Sequence, residues 1–170
     1  MKKLFTLLIL VFAVAGISFA SIKKEVMEDL EMYNTYVNVK VVDALAKIEQ
    51  ETVVIDNVIE KGAKHDVNAS MKIIDNQVKY ILDHMQKYTL KIKTQEVRDY
   101  HNITMEYIKL RHEFLKDAIS SYLKNGKITD DEKARITKKY ESSFAEMDRK
   151  NAAILKTLTA VIHPDQNNKK

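Results

Sequence analysis

From Ile17 to His163 the chain contains no proline and two glycines, Gly62 and Gly126. These are the residues that most firmly end regular elements. A β-rich fold needs turn residues every 8–12 positions or so. So few breakers over so long a stretch therefore predict long helices and little else.

The apolar spacing sets the helix count. Val26, Leu30 and Tyr33 recur eleven residues on as Val37, Val41 and Ala44, then as Ile48, Thr52 and Ile55, with Ile59 opening a fourth round. An eleven-residue repeat stays nearly in phase with a straight helix, which gives a first helix over about 22–61 with little left-handed supercoil. A bend is expected at "YNTYVN", where Asn34, Thr35 and Asn38 are poor helix formers. Gly62 supplies its left-handed stop. A second helix, about 66–90, is capped by Asp66 or Asn68. It carries a strict heptad seam of Val67, Met71, Ile74, Val78, Ile81, Met85 and Tyr88, the coiled-coil spacing.

The next boundary is the weakest, because "YTLKIKTQE" holds no glycine or proline. The apolar phase changes after Ile92 and Thr94 can cap, which predicts a turn at 91–94 and a third helix over about 95–125. The alternative is one kinked helix from Val67 to Asn125. After Gly126, the segment "TDDE" reads as a capping box of Thr129 and Glu132 opening a fourth helix over about 130–162. The seam of that helix runs Ile136, Tyr140, Phe144, Met147, Asn151, Ile154, Leu158 and Val161. The fold class is all-α, an up-down-up-down four-helix bundle over residues 21–163, followed by a polar tail at 164–170.

The N-terminus bears on location. "MKKLFTLLILVFAVAGISFAS" has two lysines, an apolar run from Leu4 to about Ala15, and Ser18 and Ala20 placed as in a secretory cleavage site. It reads as a signal peptide over residues 1–20. The apolar run is shorter than the ~20 residues that span a bilayer, so no integral membrane segment is expected after cleavage. The expected location is periplasmic or secreted. The chain has no cysteine, which excludes disulfides, thiolate metal sites, a cysteine nucleophile and covalent c-type haem.

Charge argues against nucleic acid. Without Lys2 and Lys3, 26 basic residues face 24 acidic ones, far from the concentrated basic face of a nucleic-acid binder. The charges are graded along the chain. Residues 21–62 hold five lysines and nine carboxylates, whereas 127–170 hold ten basic and seven acidic residues.

Catalytic and metal signals are sparse. The Glu-x-x-His pairs of bundle metal centres do not occur, and no histidine has another three or four residues away. His101 and His112 share a helix side but stand roughly 16 Å apart. No metal or cofactor is expected. Non-covalent haem is the competing possibility, with His84 beside Met71, Met85 or Met147 as axial ligands.

One helix is apolar over half its circumference. Placed at 100° steps, Ile103, Tyr107, Leu110 and Phe114 of the third helix join a broad arc that has Arg111 near its centre. A buried guanidinium needs partners. Folding the chain at its turns nominates Glu146, Asp75, Glu51 and Asp56, and sets Asn151 opposite Thr104. Two readings follow: a polar layer that fixes register, or the lining of a small-molecule site. Ile103, Leu110, Tyr107 and Phe114 are the candidate interaction surface. The expected function is that of an exported, non-catalytic bundle acting through helix-mediated contacts, as an envelope scaffold, adhesin or chaperone-like protein. Its partner is another envelope or extracellular protein, or a second copy. The alternative is a periplasmic bundle that binds a small molecule or haem.

Overall fold

The computed structural model describes residues 24–162; the signal-peptide reading of 1–20 and the tail at 164–170 lie outside them. Among the described residues the chain is all helical, without strands, and its four long rods are consistent with a helical bundle. The first rod comprises α1 (Lys24–Tyr33), a π-helical segment (Asn34–Asn38) and α2 (Val39–Lys61). It is followed by α3 (Val67–Tyr88), a 3-10 turn (Thr89–Lys91), α4 (Gln95–Asn125) and α5 (Asp130–Ile162).

The π segment falls where the bend was expected, and the apolar spacing explains it. Tyr33, Val37 and Val41 are all buried, yet they are spaced by two successive steps of four. In a regular α-helix two such steps drift about 80° around the axis. One wide turn absorbs that drift and keeps all three side chains inward. Thr35 Oγ1 donates to the Glu31 carbonyl (2.9 Å) and Asn38 Nδ2 to Asn34 Oδ1 (3.2 Å). These are the local bonds with which Thr and Asn compete against regular helix. The Tyr36 carbonyl in this segment meets His84 Nε2 of α3 at 2.5 Å.

The heptad seam of α3 is its buried face: Val67, Ile74, Val78, Ile81, Met85 and Tyr88 are in the core, with Met71 packed against it. Each such side chain removed from water contributes about 1.5–3 kcal/mol, which makes this seam a principal source of stability. Opposite it lie Ala44, Ile55 and Val58 of α2. The α2 and α3 rods run antiparallel. Ser70 Oγ donates to Glu51 at 2.5 Å near one end of the α2–α3 pair, and the His84–Tyr36 contact closes the other.

The helix ends follow their local chemistry. Asp66 accepts from the Asn68 and Ala69 amides at 2.9 and 3.3 Å. Thr129 and Glu132 form the reciprocal capping box, with Glu132 N–H to Thr129 Oγ1 at 3.2 Å and Thr129 N–H to Glu132 Oε2 at 3.1 Å. Glu132 also accepts from Ser121 Oγ (2.8 Å) and Asn125 Nδ2 (2.6 Å), joining the α4 end to the α5 start. Gly62 and Gly126 both take the left-handed conformation, with φ of 66° and 70°. A Cβ at either would meet nothing within 4 Å. Gly126→Ala should therefore cost only the backbone term, about 1 kcal/mol, read as a lower urea midpoint with an unchanged slope.

The central helix is α4. It touches α3 and α1 on one side, while α5 packs chiefly on its other side. Its apolar arc is wide because it serves two interfaces. Toward the core it buries Val97, Ile108, Leu115 and Ile119. Toward α5 it presents an aromatic set, in which Phe114 stands edge-on to Tyr140 (5.5 Å) and Phe144 (5.7 Å), and Tyr107 edge-on to Phe144 (6.2 Å). Asp117 fastens the same interface, accepting from Lys139 Nζ (2.6 Å) and Tyr140 Oη (2.9 Å).

Candidate functional site

Two buried polar groups sit where α1, the 3-10 turn and α4 meet. Asp29 is 1% exposed. Its Oδ2 accepts from the Lys93 amide (3.0 Å), the Thr94 amide (2.8 Å) and Thr94 Oγ1 (2.7 Å). A carboxylate of α1 thus holds the turn that separates α3 from α4. Thr94 occupies the N-cap position of α4, but its hydroxyl is given to Asp29 and caps nothing in its own helix.

Next to it lies His101, 0% exposed. Its Nε2 pairs with Thr89 Oγ1 at 2.9 Å, and its Nδ1 with Tyr33 Oη at 3.2 Å. Tyr33 is surrounded edge-on by Tyr88, Tyr100 and the His101 ring at 5.6–6.0 Å between centroids. Burial, assisted by the Arg98 charge, lowers His101 to about 4. Burial raises Tyr33 far above the usual phenol range, with Tyr100 and Tyr88 adding to it. A histidine beside a tyrosine and a threonine has the groups of acid–base chemistry, but a general base must reach a substrate proton. Both nitrogens of this ring are engaged and none of it is exposed, so the cluster reads as structure.

The residues nominated around Arg111 are distributed differently. Arg111 Nη2 donates to Tyr107 Oη at 2.8 Å, and the guanidinium lies 4.7 Å from the centre of the Tyr107 ring. The carboxylate that reaches α4 at this level, Asp75, pairs with the next residue, His112 Nε2, at 2.6 Å. Glu146 pairs with Lys150 on its own helix at 2.8 Å, and Lys150 holds its carboxyl below the usual range. Glu51 accepts from Ser70. Asp56 is raised by burial and then by the Glu60 charge. Thr104 Oγ1 donates to the Tyr100 carbonyl at 2.8 Å, and Asn151 on α5 is half-buried. Of the surface nominated on α4, Tyr107 and Phe114 pack on the α5 aromatics, Ile103 is buried and Leu110 is half-buried.

Open apolar surface lies instead on α2. Val39, Val42 and Val53 are 57%, 44% and 54% exposed. With the exposed Ala46 and Glu49 they fall at steps of three, four, three and four, a heptad stripe on the face opposite the core. The doubled valines of the sequence carry it: Val41 points into the core and its neighbour Val42 outward, and Val54 is half-buried beside the exposed Val53. Glu49 sits within the stripe, Glu60 lies one heptad beyond Val53 on the same line, and the exposed Asp43 lies beside it. Beside it an open groove of about 580 Å³ runs between α2 and α3, lined by Val39, Lys40, Asp43, Lys47, Gln77 and the half-exposed Tyr80.

Among the described residues no three His, Asp or Glu side chains are grouped to hold a metal ion, and no helix is long and apolar enough to cross a membrane. No protein-family model, curated protein or solved structure matches this chain.

Proposed function

We propose that this is an exported, non-catalytic up-down-up-down helical bundle that works through helix-mediated protein–protein contacts, with the outer face of α2 as the contact surface. The observation that carries this reading is the stripe of Val39, Val42, Ala46, Glu49 and Val53 in heptad spacing on a face that no other described element covers. Scattered exposed apolar residues are ordinary. A mostly apolar stripe with a seam's period has the form of half an interface, because a partner helix seats its side chains at those intervals. Tyr107 and Phe114 of the α4 surface pack on the α5 aromatics, and this reading does not need the α4 surface of Ile103, Leu110, Tyr107 and Phe114. The partner is an envelope or extracellular protein, or a second copy of the chain.

The test uses a photo-crosslinking residue at position 42 in the producing cells, with position 138 on the exposed side of α5 as the control. A discrete adduct is expected from position 42 alone. The double variant Val42→Glu, Val53→Glu should retain its helix content and melting temperature within a degree or two, since both side chains face water, and should lose the native partner. Equal labelling at both positions, or an unaltered complex in the double variant, overturns the reading.

A further inference from the structure

The opposite feature to a buried carboxylate occurs a few residues away. Leu90, in the 3-10 turn between α3 and α4, is 94% exposed. Its neighbours alternate with it: Tyr88 and Ile92 are buried, while Leu90 projects outward from between them. The exposure is built into the backbone. Asp29 holds the Lys93 and Thr94 amides, and the Ile92 amide donates to the Thr89 carbonyl. The turn is thus fastened on the side away from solvent, and the leucine has no route back to the core.

Along the chain its charged neighbours are basic, while α1 at the same end adds the exposed Glu25 and Glu28 and the buried Asp29. Residues 84–95, "HMQKYTLKIKTQ", contain three lysines and no carboxylate. Lys87, Lys91 and Lys93 are all exposed. Lys91 Nζ lies 5.9 Å from the centre of the half-exposed Tyr36 ring, and none of the three lysines pairs with a carboxylate among the described residues.

We infer that this turn is a membrane-contact tip: Leu90 enters the acyl boundary of an anionic lipid bilayer while Lys87, Lys91 and Lys93 bind its acidic headgroups. The pairing of an exposed apolar side chain with lysines is what a charged interface selects, since each element alone binds marginally. A soluble protein partner would need an apolar pocket and three carboxylates around one leucine. A lipid surface supplies both without a specific fit. The inference is independent of the α2 surface, which lies along the side of the rod, so either can fail without the other.

The absence of cysteine makes the test direct. Leu90→Cys and, at the other end of α4, Leu123→Cys each give the full chain a single site for an environment-sensitive fluorophore. With vesicles of phosphatidylcholine containing a third phosphatidylglycerol, the label at 90 should shift to the blue and the label at 123 should not. Pure phosphatidylcholine should leave both unchanged, and raising the salt from 0.1 to 0.5 M should weaken the response at 90. Changing Lys87, Lys91 and Lys93 together to glutamate should raise the lipid concentration at half-response on the order of a hundredfold, at about fivefold for each lysine lost. A label at 90 that stays in water while the protein floats with the vesicles shows that another part of the chain binds, and overturns the inference. So does a half-response unchanged by the lysine variant.

Discussion

Lowering the pH from 7 to 4 is expected to cost this protein about 3 kcal/mol of folding stability through His101 alone. The folded ring titrates near 4, because burial and then Arg98 oppose its charged form, against 6.5 for an exposed histidine. Its folded value is the lower one, so between the two values the unfolded chain binds the extra proton. Stability is therefore complete above about 6.5 and falls as the pH drops toward 4, with a limiting slope of about 1.4 kcal/mol per pH unit. Below 4 both states are protonated and this contribution flattens. Urea unfolding at pH 7.5, 6, 5 and 4.5 should show the slope in the wild type. The comparison that isolates it is His101→Gln, which is weaker at neutral pH but loses that pH dependence. Parallel curves for the two proteins would assign the acid sensitivity to other groups.

Removing the Asp29 carboxylate should be nearly as damaging at neutral pH. Asp29→Ala strips the Lys93 and Thr94 amides and the Thr94 hydroxyl of their acceptor in a site closed to water. Unsatisfied buried donors cost about 1–3 kcal/mol each, part of which is returned because a buried charge has gone. A net loss of about 3 kcal/mol is expected, a fall in melting temperature of roughly 10 °C for a chain of this size. Asp29→Asn keeps an accepting oxygen and should cost about 1 kcal/mol. Calorimetry on the two variants decides the point, and an alanine variant as stable as the asparagine variant would show that water replaces the carboxylate. Its loss should also free the 3-10 turn, so hydrogen exchange at the Lys93 and Thr94 amides should accelerate before that of the α3 seam.

The periodic features of the sequence were sufficient for the core. The eleven-residue repeat and the α3 heptad name the inward residues almost one for one, because burial of a helix face imposes its period on the chain. Caps are local and were legible for the same reason: Asp66, Thr129 and Glu132 act on residues within three positions of themselves. Asp29 gave no such signal, since its partners are 64 and 65 positions away and nothing in its own turn marks it. Arg111 shows what sequence geometry leaves undetermined. Folding rods back at their turns fixes the level of a residue but not its azimuth, and at the level of Arg111 it is the neighbouring His112 that meets Asp75. The outward stripe of α2 is visible as doubled valines only once the inner set has been assigned. The exposure of Leu90 was not legible, because an apolar residue in a turn flanked by buried Tyr88 and Ile92 reads as core.

The π segment between α1 and α2 divides the first rod into two parts whose rotations about their common axis are set separately. One extra residue in a turn shifts everything beyond it by about 100°. Asp29 and Tyr33 belong to one side of that shift and Ile55 and Val58 to the other. The segment works as a gear between the end of the bundle that holds the buried carboxylate and histidine and the length that carries the valine stripe. What matters in "NTYVN" is thus first its residue count: shortening it by one would turn one half of the rod's buried side chains toward solvent, whatever residues remained.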